Sequence, residues 1–142
     1  PLLGLRLLLV DDMEDALGLF AVVLEHEGAQ VDTATSGAAA LELLAHKPYE
    51  LLISDIGMPG MDGYALLAAL RLGVAVPQRV AVAGFNDLAG SDQMLPPLTT
   101  VRTPRSAIGE ASARMLLELM RGEVPERNSV NLGFELTVRE ST

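Results

Sequence analysis

The chain has 142 residues, nearly half of them apolar, with 19 acidic against 10 basic side chains and no cysteine. That length supports one core, with roughly 70% of the unfolded surface buried on folding, and no apolar run approaches the ~20 residues of a membrane span. The missing cysteines exclude a disulfide framework and a thiolate metal site, and a net charge of −9 argues against a nucleic-acid partner, which calls for Lys and Arg.

Leu7–Val10 reads as a first strand, and a helix follows from about Met13 to Glu27. Leu17, Phe20, Ala21 and Leu24 recur there at helical spacing, and Gly28 stops it. Ala29–Thr33 reads as a short second strand. Ser36 caps a second helix carrying Leu41 and Leu44, which ends before Pro48. The apolar run Leu51–Ser54 is the third strand, buried on both faces of a parallel sheet. A third helix starts near Asp62 and buries Tyr64, Leu67 and Leu70. Val80–Ala83 is the fourth strand, and the Gly-, Pro- and Asp-rich stretch 84–97 leaves room for only a short helix. Leu98–Arg102 is the fifth strand. Thr103 is placed to cap a last helix with Pro104 at its first position, a buried stripe of Ile108, Ala111, Met115 and Leu119, and a stop at Gly122. A polar loop leads to Phe134–Arg139, an alternating edge strand.

Strands alternating with helices imply a doubly wound, three-layer α/β/α fold in one domain spanning 1–142. The expected sheet is parallel and flavodoxin-like, ordered 2-1-3-4-5, with the last strand added beside the fifth. The first and third strands are then neighbours, and the crevice between them is the switch point where such folds bind ligands. Asp11 and Asp12 end one of these strands and Asp55 ends the other, so an acidic pocket is expected at that edge. No Ser-His-Asp arrangement, P-loop or zinc spacing is present, and no enzymatic activity is expected. His26 and His46 lie among polar residues near helix ends, where surface placement is the default.

The stretches LRLLLVDDMEDALGLF, AQVDTATSGAAALELL and YELLISDIGMPGMDGYALL resemble the receiver domain of bacterial response regulators over about residues 1–71. That resemblance implies Asp55 as phosphoacceptor, with Asp11, Asp12, Asp55 and the Gly57 carbonyl holding Mg²⁺. The stretches VPQRVAVAGFND, PPLTTVRTPRSAIGEASARMLLELMRGEVPE and NLGFELTVREST resemble the C-terminal part of LacI-type repressors, a periplasmic-binding-protein-like lobe, over about residues 72–142. Charge changes across the same boundary: residues 1–71 hold 3 Lys/Arg against 11 Asp/Glu, and residues 72–142 hold 7 against 8.

Each resemblance departs where its function would reside. A receiver has a hydroxyl at the end of its fourth strand, where Ala83 and Gly84 stand here, and a Lys at the end of its fifth. Arg102 is the nearest cation for a phosphate contact, with a planar fork in place of a compact ammonium. Asn86 replaces a carboxylate of the repressor pattern, and with Asp87 it reads as a turn residue. Together with a chain that starts at Pro1, these features lead to the expectation of an engineered chimera with no complete natural activity that keeps the acidic Mg²⁺ pocket around Asp55. A working phosphoacceptor receiver is the alternative, and a sugar- or effector-binding lobe of a LacI-type regulator is the second. A cytoplasmic protein is expected, without membrane or histidine-kinase partners and with a tendency to homodimerise through uncovered apolar surface.

Overall fold

The apolar runs of the chain form a single sheet in the computed structural model, which describes residues 2–123 and 129–142. Strand β1 (Arg6–Val10) leads to helix α1 (Glu14–His26) and strand β2 (Gln30–Ala34). Helix α2 (Gly37–His46), strand β3 (Leu51–Ser54), helix α3 (Gly63–Arg71) and strand β4 (Ala81–Phe85) follow. The chain then runs through strand β5 (Thr99–Arg102), helix α4 (Arg105–Met120) and strand β6 (Glu135–Thr137). The strand order is β2-β1-β3-β4-β5-β6. Every pairing is parallel except the last, where β6 runs antiparallel to β5 with Val101 opposite Leu136. This is the expected doubly wound α/β arrangement with its added edge strand.

Alternation along the strands divides the sheet into two unequal faces. Leu8, Val10, Leu52 and Val82 join Ala40 and Leu44 of α2 and Leu66, Leu67 and Leu70 of α3 in the main core. Ser36 accepts the Ala39 N–H and Asp62 accepts the Ala65 N–H, so both helices on this face start at side-chain caps. The opposite face, with Leu9 and Ile53, carries α1, whose only buried residue is Leu17. Phe20 stays about half exposed, where the sequence placed it in the helix's buried stripe.

Three expectations fail beyond β4. The 86–98 crossover forms turns and no helix; the Tyr64 hydroxyl, bonded to the Leu88 and Ala89 carbonyls and to Ser91 Oγ, ties it to α3 instead. Thr103 does not cap α4, because its hydroxyl donates to Asn86 Oδ1. Of the stripe Ile108, Ala111, Met115 and Leu119, only Ala111 is buried; Ile108 is 44% and Leu119 56% exposed. Spacing sets which residues share a face of that helix, but burial needs a partner surface, and the described residues offer α4 little beyond the segment 130–133. Part of the polar loop expected before β6, residues 124–128, lies outside the described residues.

The C-terminal residues close the sheet at its other end. Ser141 is fully buried; its hydroxyl donates to the Val82 carbonyl at 2.6 Å and accepts the Thr99 N–H at 2.8 Å. One serine thus satisfies backbone groups of β4 and of β5 at once.

Candidate functional site

Because β1 and β3 are neighbours, both deliver their terminal residues to one edge. The Asp55 N–H donates to the Val10 carbonyl at 2.9 Å, which fixes the two strand ends side by side. Beyond them a cavity of about 420 Å³ opens between α1 and the sheet. Leu9, Leu17, Phe20 and Ile53 make its apolar bed, and Asp11, Asp12, Asp55 and Asn86 supply its polar rim. The topology-derived expectation that the three aspartates share one crevice therefore holds.

Their side chains do not converge. Asp11 Oδ1 accepts the Met13 N–H at 2.8 Å at the entrance to α1, and Asp55 Oδ2 accepts the Gly57 N–H at 3.0 Å. Each carboxylate is turned onto its own loop, in the manner of short acidic residues at turns and helix starts. Among the described residues no three acidic, histidine or cysteine side chains group so as to hold a metal ion. The set Asp11, Asp12, Asp55 and Gly57 accordingly does not fit Mg²⁺, whose near-octahedral demand several convergent oxygens must meet.

The loop after Asp55 has structural reasons for its pattern. Met58 is buried in the main core, and Asp62 caps α3. A Cβ at Gly63 would stand 2.7 Å from the Asp55 carbonyl oxygen, so only glycine fits there. A Met-Pro-x-x-x-Gly loop thus serves a tight strand-to-helix turn irrespective of phosphoryl chemistry.

Arg102 does not line the cavity; its guanidinium is bound to Asp87. Asp87 also accepts the Thr100 hydroxyl at 2.8 Å and pairs with Arg139 at 2.9 Å. Burial pushes the Asp87 carboxyl up, but the hydrogen bonds from Thr100, Arg102 and Arg139 outweigh it and hold the group down at about 2. Asn86 and Asp87 both adopt the left-handed backbone region, with φ of 74° and 44°, which short polar side chains tolerate better than most. That double reversal leaves Phe85 and Asn86 at the cavity and sends Asp87 to the two arginines. Reading Asn86 and Asp87 as turn residues captured the backbone and missed both destinations. The Arg139 partner, 52 positions away in sequence, left no local signal.

Comparison with known proteins bears on the whole chain. The model of a family described as a periplasmic binding protein-like domain matches residues 25–142. The HTH-type transcriptional regulator GntR of Pseudomonas aeruginosa is 54% identical over 78 residues, 55% of this chain and 23% of that one. MalR of Streptomyces coelicolor, another HTH-type transcriptional regulator, is 37% identical over 138 residues, 94% of this chain and 39% of that one. The crystal structure of the transcription regulator GntR from Chromobacterium violaceum superposes with a TM-score of 0.72 at 31% identity, over 96% of this chain and 55% of that one. The chain therefore spans about half the length of the solved relative, and less of the two curated ones.

Two further matches carry less. The virulence sensor protein BvgS of Bordetella bronchiseptica is 33% identical over 132 residues, 82% of this chain and 11% of that protein. The response regulator TrrA of Thermotoga maritima superposes at TM-score 0.58 and 24% identity over 79% of this chain and 98% of that one, a likeness of fold alone. The expected chimera is corrected by the first set of matches. The family match and the MalR alignment both extend across residues 63–73, where two unrelated halves would have met. Doubly wound sheets of either family end their inner strands in polar loops at the switch point, so the acidic strand ends and the Met-Pro loop did not discriminate between them.

Proposed function

We infer that this chain, which belongs to the periplasmic binding protein-like domain family, is an effector-binding lobe of a LacI-type transcriptional regulator. The cavity at the carboxyl edge of β1 and β3 carries this reading. It offers an apolar bed with two aromatic rings, Phe20 and Phe85, and a rim of short polar side chains, Asp11, Asp12, Asp55 and Asn86. A sugar has matching chemistry: a C–H face that lies on aromatic and aliphatic carbon, and hydroxyls that donate to carboxylates and bond an amide. Three carboxylates without an ion-pair partner among the described residues favour a neutral polyhydroxy ligand over an anionic one, because a second negative charge would meet repulsion in a partly dry site.

The relatives are longer, and the uncovered surfaces here fit that difference. The cavity opens to solvent, and Ile108 and Leu119 of the apolar stripe of α4, which starts from the same sheet edge, are exposed. We assign both to the surface that the remainder of a full-length regulator covers. Nucleic-acid binding would belong to the HTH part of such a regulator and not to this acidic lobe, and the whole would act in the cytoplasm. No helix among the described residues is long and apolar enough to cross a membrane.

Titration calorimetry with glucose, maltose, cellobiose and gluconate tests the reading. A lobe holding only one side of its ligand should bind a neutral sugar with Kd on the order of 1 mM, about 4 kcal/mol, and Asn86→Ala should weaken that binding at least threefold without unfolding the chain. Binding of gluconate alone would overturn the charge argument, and no binding by any sugar would overturn the ligand class.

A further inference from the structure

We propose that the ligand of the cavity is a glycoside with an uncharged hydrocarbon aglycone, its sugar at the carboxyl rim and its alkyl or aryl group in an apolar trough beside α1. The proposal rests on the sugar reading of the rim and specifies what that sugar is attached to. Every polar side chain lining the cavity among the described residues stands at one end: Asp11 and Asp12 after β1, Ser54 and Asp55 at the close of β3, and Asn86 after β4. Helix α1 starts at that end and returns along the sheet, because the strands it joins are parallel. Leu17, Phe20 and Leu24 recur at i, i+3 and i+7, so they share a face and lie successively further from the rim. The seven-residue step from Leu17 to Leu24 carries this wall of the trough about 10 Å.

The floor matches the wall. Leu9 and Ile53 are partners in the parallel register of β1 and β3 and turn to the same side of the sheet. On β4 the residue opposite Ile53 is Ala83, whose short side chain leaves the floor low where a larger one would fill it. No cation lines the cavity among the described residues, so nothing there attracts an anionic group. A second sugar ring matches the trough poorly. Its hydroxyls would give up water to lie along a stretch without hydrogen-bonding side chains, at a cost for each group left unpaired. A hydrocarbon group meets no such cost, and it covers Phe20 and Val23, which stand 49% and 53% exposed.

Titration calorimetry of the 142-residue chain with methyl β-glucoside, hexyl β-glucoside, 1-hexanol and maltose tests the proposal. The added methylenes, each about half covered in a trough open on one side, should make hexyl glucoside bind about 30-fold tighter than methyl glucoside. The alcohol lacks the sugar and should bind about tenfold more weakly than hexyl glucoside. Val23→Asp, at an exposed position, should cut the ratio of the two glucosides to about fivefold or less, with the methyl glucoside affinity and the far-UV spectrum of the parent. In the parent chain, nuclear Overhauser contacts should join the hexyl methylenes to the Val23 and Leu24 methyls, a readout that needs no substitution. Equal affinity of the two glucosides, or hexyl contacts only to other residues, overturns the proposal and leaves the sugar reading standing. If neither glucoside binds, the proposal falls, and maltose decides the sugar reading, which stands if maltose binds and falls if it does not. Binding of 1-hexanol as tight as that of hexyl glucoside would show the rim idle and overturn both.

Discussion

Asp87→Ala removes the carboxylate that holds together the crossover, β5 and the C-terminal segment. Asp87 is 7% exposed at its side chain, and Arg139 opposite it 15%. Deleting the acid leaves the Arg139 guanidinium nearly buried and, among the described residues, bonded only to the Leu98 carbonyl and, at 3.5 Å, to Thr100 Oγ1. Arg102, half exposed, regains water at little cost. Breaking one side of a buried pair costs about 3–5 kcal/mol, and one solvated partner puts the expectation at the lower end, about 3 kcal/mol. In a domain of this size that lowers the melting temperature by roughly 10 °C. The pH dependence follows from the same group. Its folded value of about 2 lies below the ordinary 3.8, so its stabilisation is complete above that ordinary value and is lost as pH falls toward about 2. Urea melts of parent and variant at neutral pH and through this acid window measure both effects. The variant should lack part of the parent's acid loss, and the double variant Asp87→Ala with Arg139→Met should recover part of the stability. A single variant within about 0.5 kcal/mol of the parent, the range of an ordinary surface change, would refute the reasoning.

Tyr49→Phe removes the phenol that donates to Asp32 at 2.7 Å, the first cause holding that carboxyl below its usual range. The Asp32 carboxyl should titrate higher by NMR, and stability at neutral pH should fall by about 1 kcal/mol. Gly63→Ala places a Cβ 2.7 Å from the Asp55 oxygen and 2.9 Å from Ile56 Cα. Neither is a side-chain tip that can swing away, so thermal melts should show a loss of about 1–3 kcal/mol. Tyr64→Phe frees the Leu88 and Ala89 carbonyls and Ser91 from α3; amide exchange should quicken across residues 86–98 while the amides of β1 and β3 keep their protection.

Much of the fold was legible in the sequence because short apolar strands, caps and glycine stops are local signals. Ser36 and Asp62 act as caps, and the order of the strands follows from the alternation of elements. The site was legible to the level of its edge: Asp11, Asp12 and Asp55 do share a cavity. Their side-chain directions were not, since the Met13 and Gly57 N–H groups that claim them are loop backbone. The α4 stripe misled for a different reason. Helical spacing reports which residues share a face, and the face stays bare unless another surface meets it. Arg102 was read as a phosphate contact because the strong competitor for it, Asp87, is brought to it by two left-handed residues.

Heteronuclear NMR with maltose titrated into the labelled chain tests the central claim most directly, because it reports binding and place together. Amide shifts are expected at the strand ends that frame the cavity, residues 9–13, 53–57 and 84–87, with little change at β6 or in the α2–α3 core. Shifts that saturate elsewhere, or none up to tens of millimolar of each of the four sugars, would contradict an effector site at the carboxyl edge of β1 and β3.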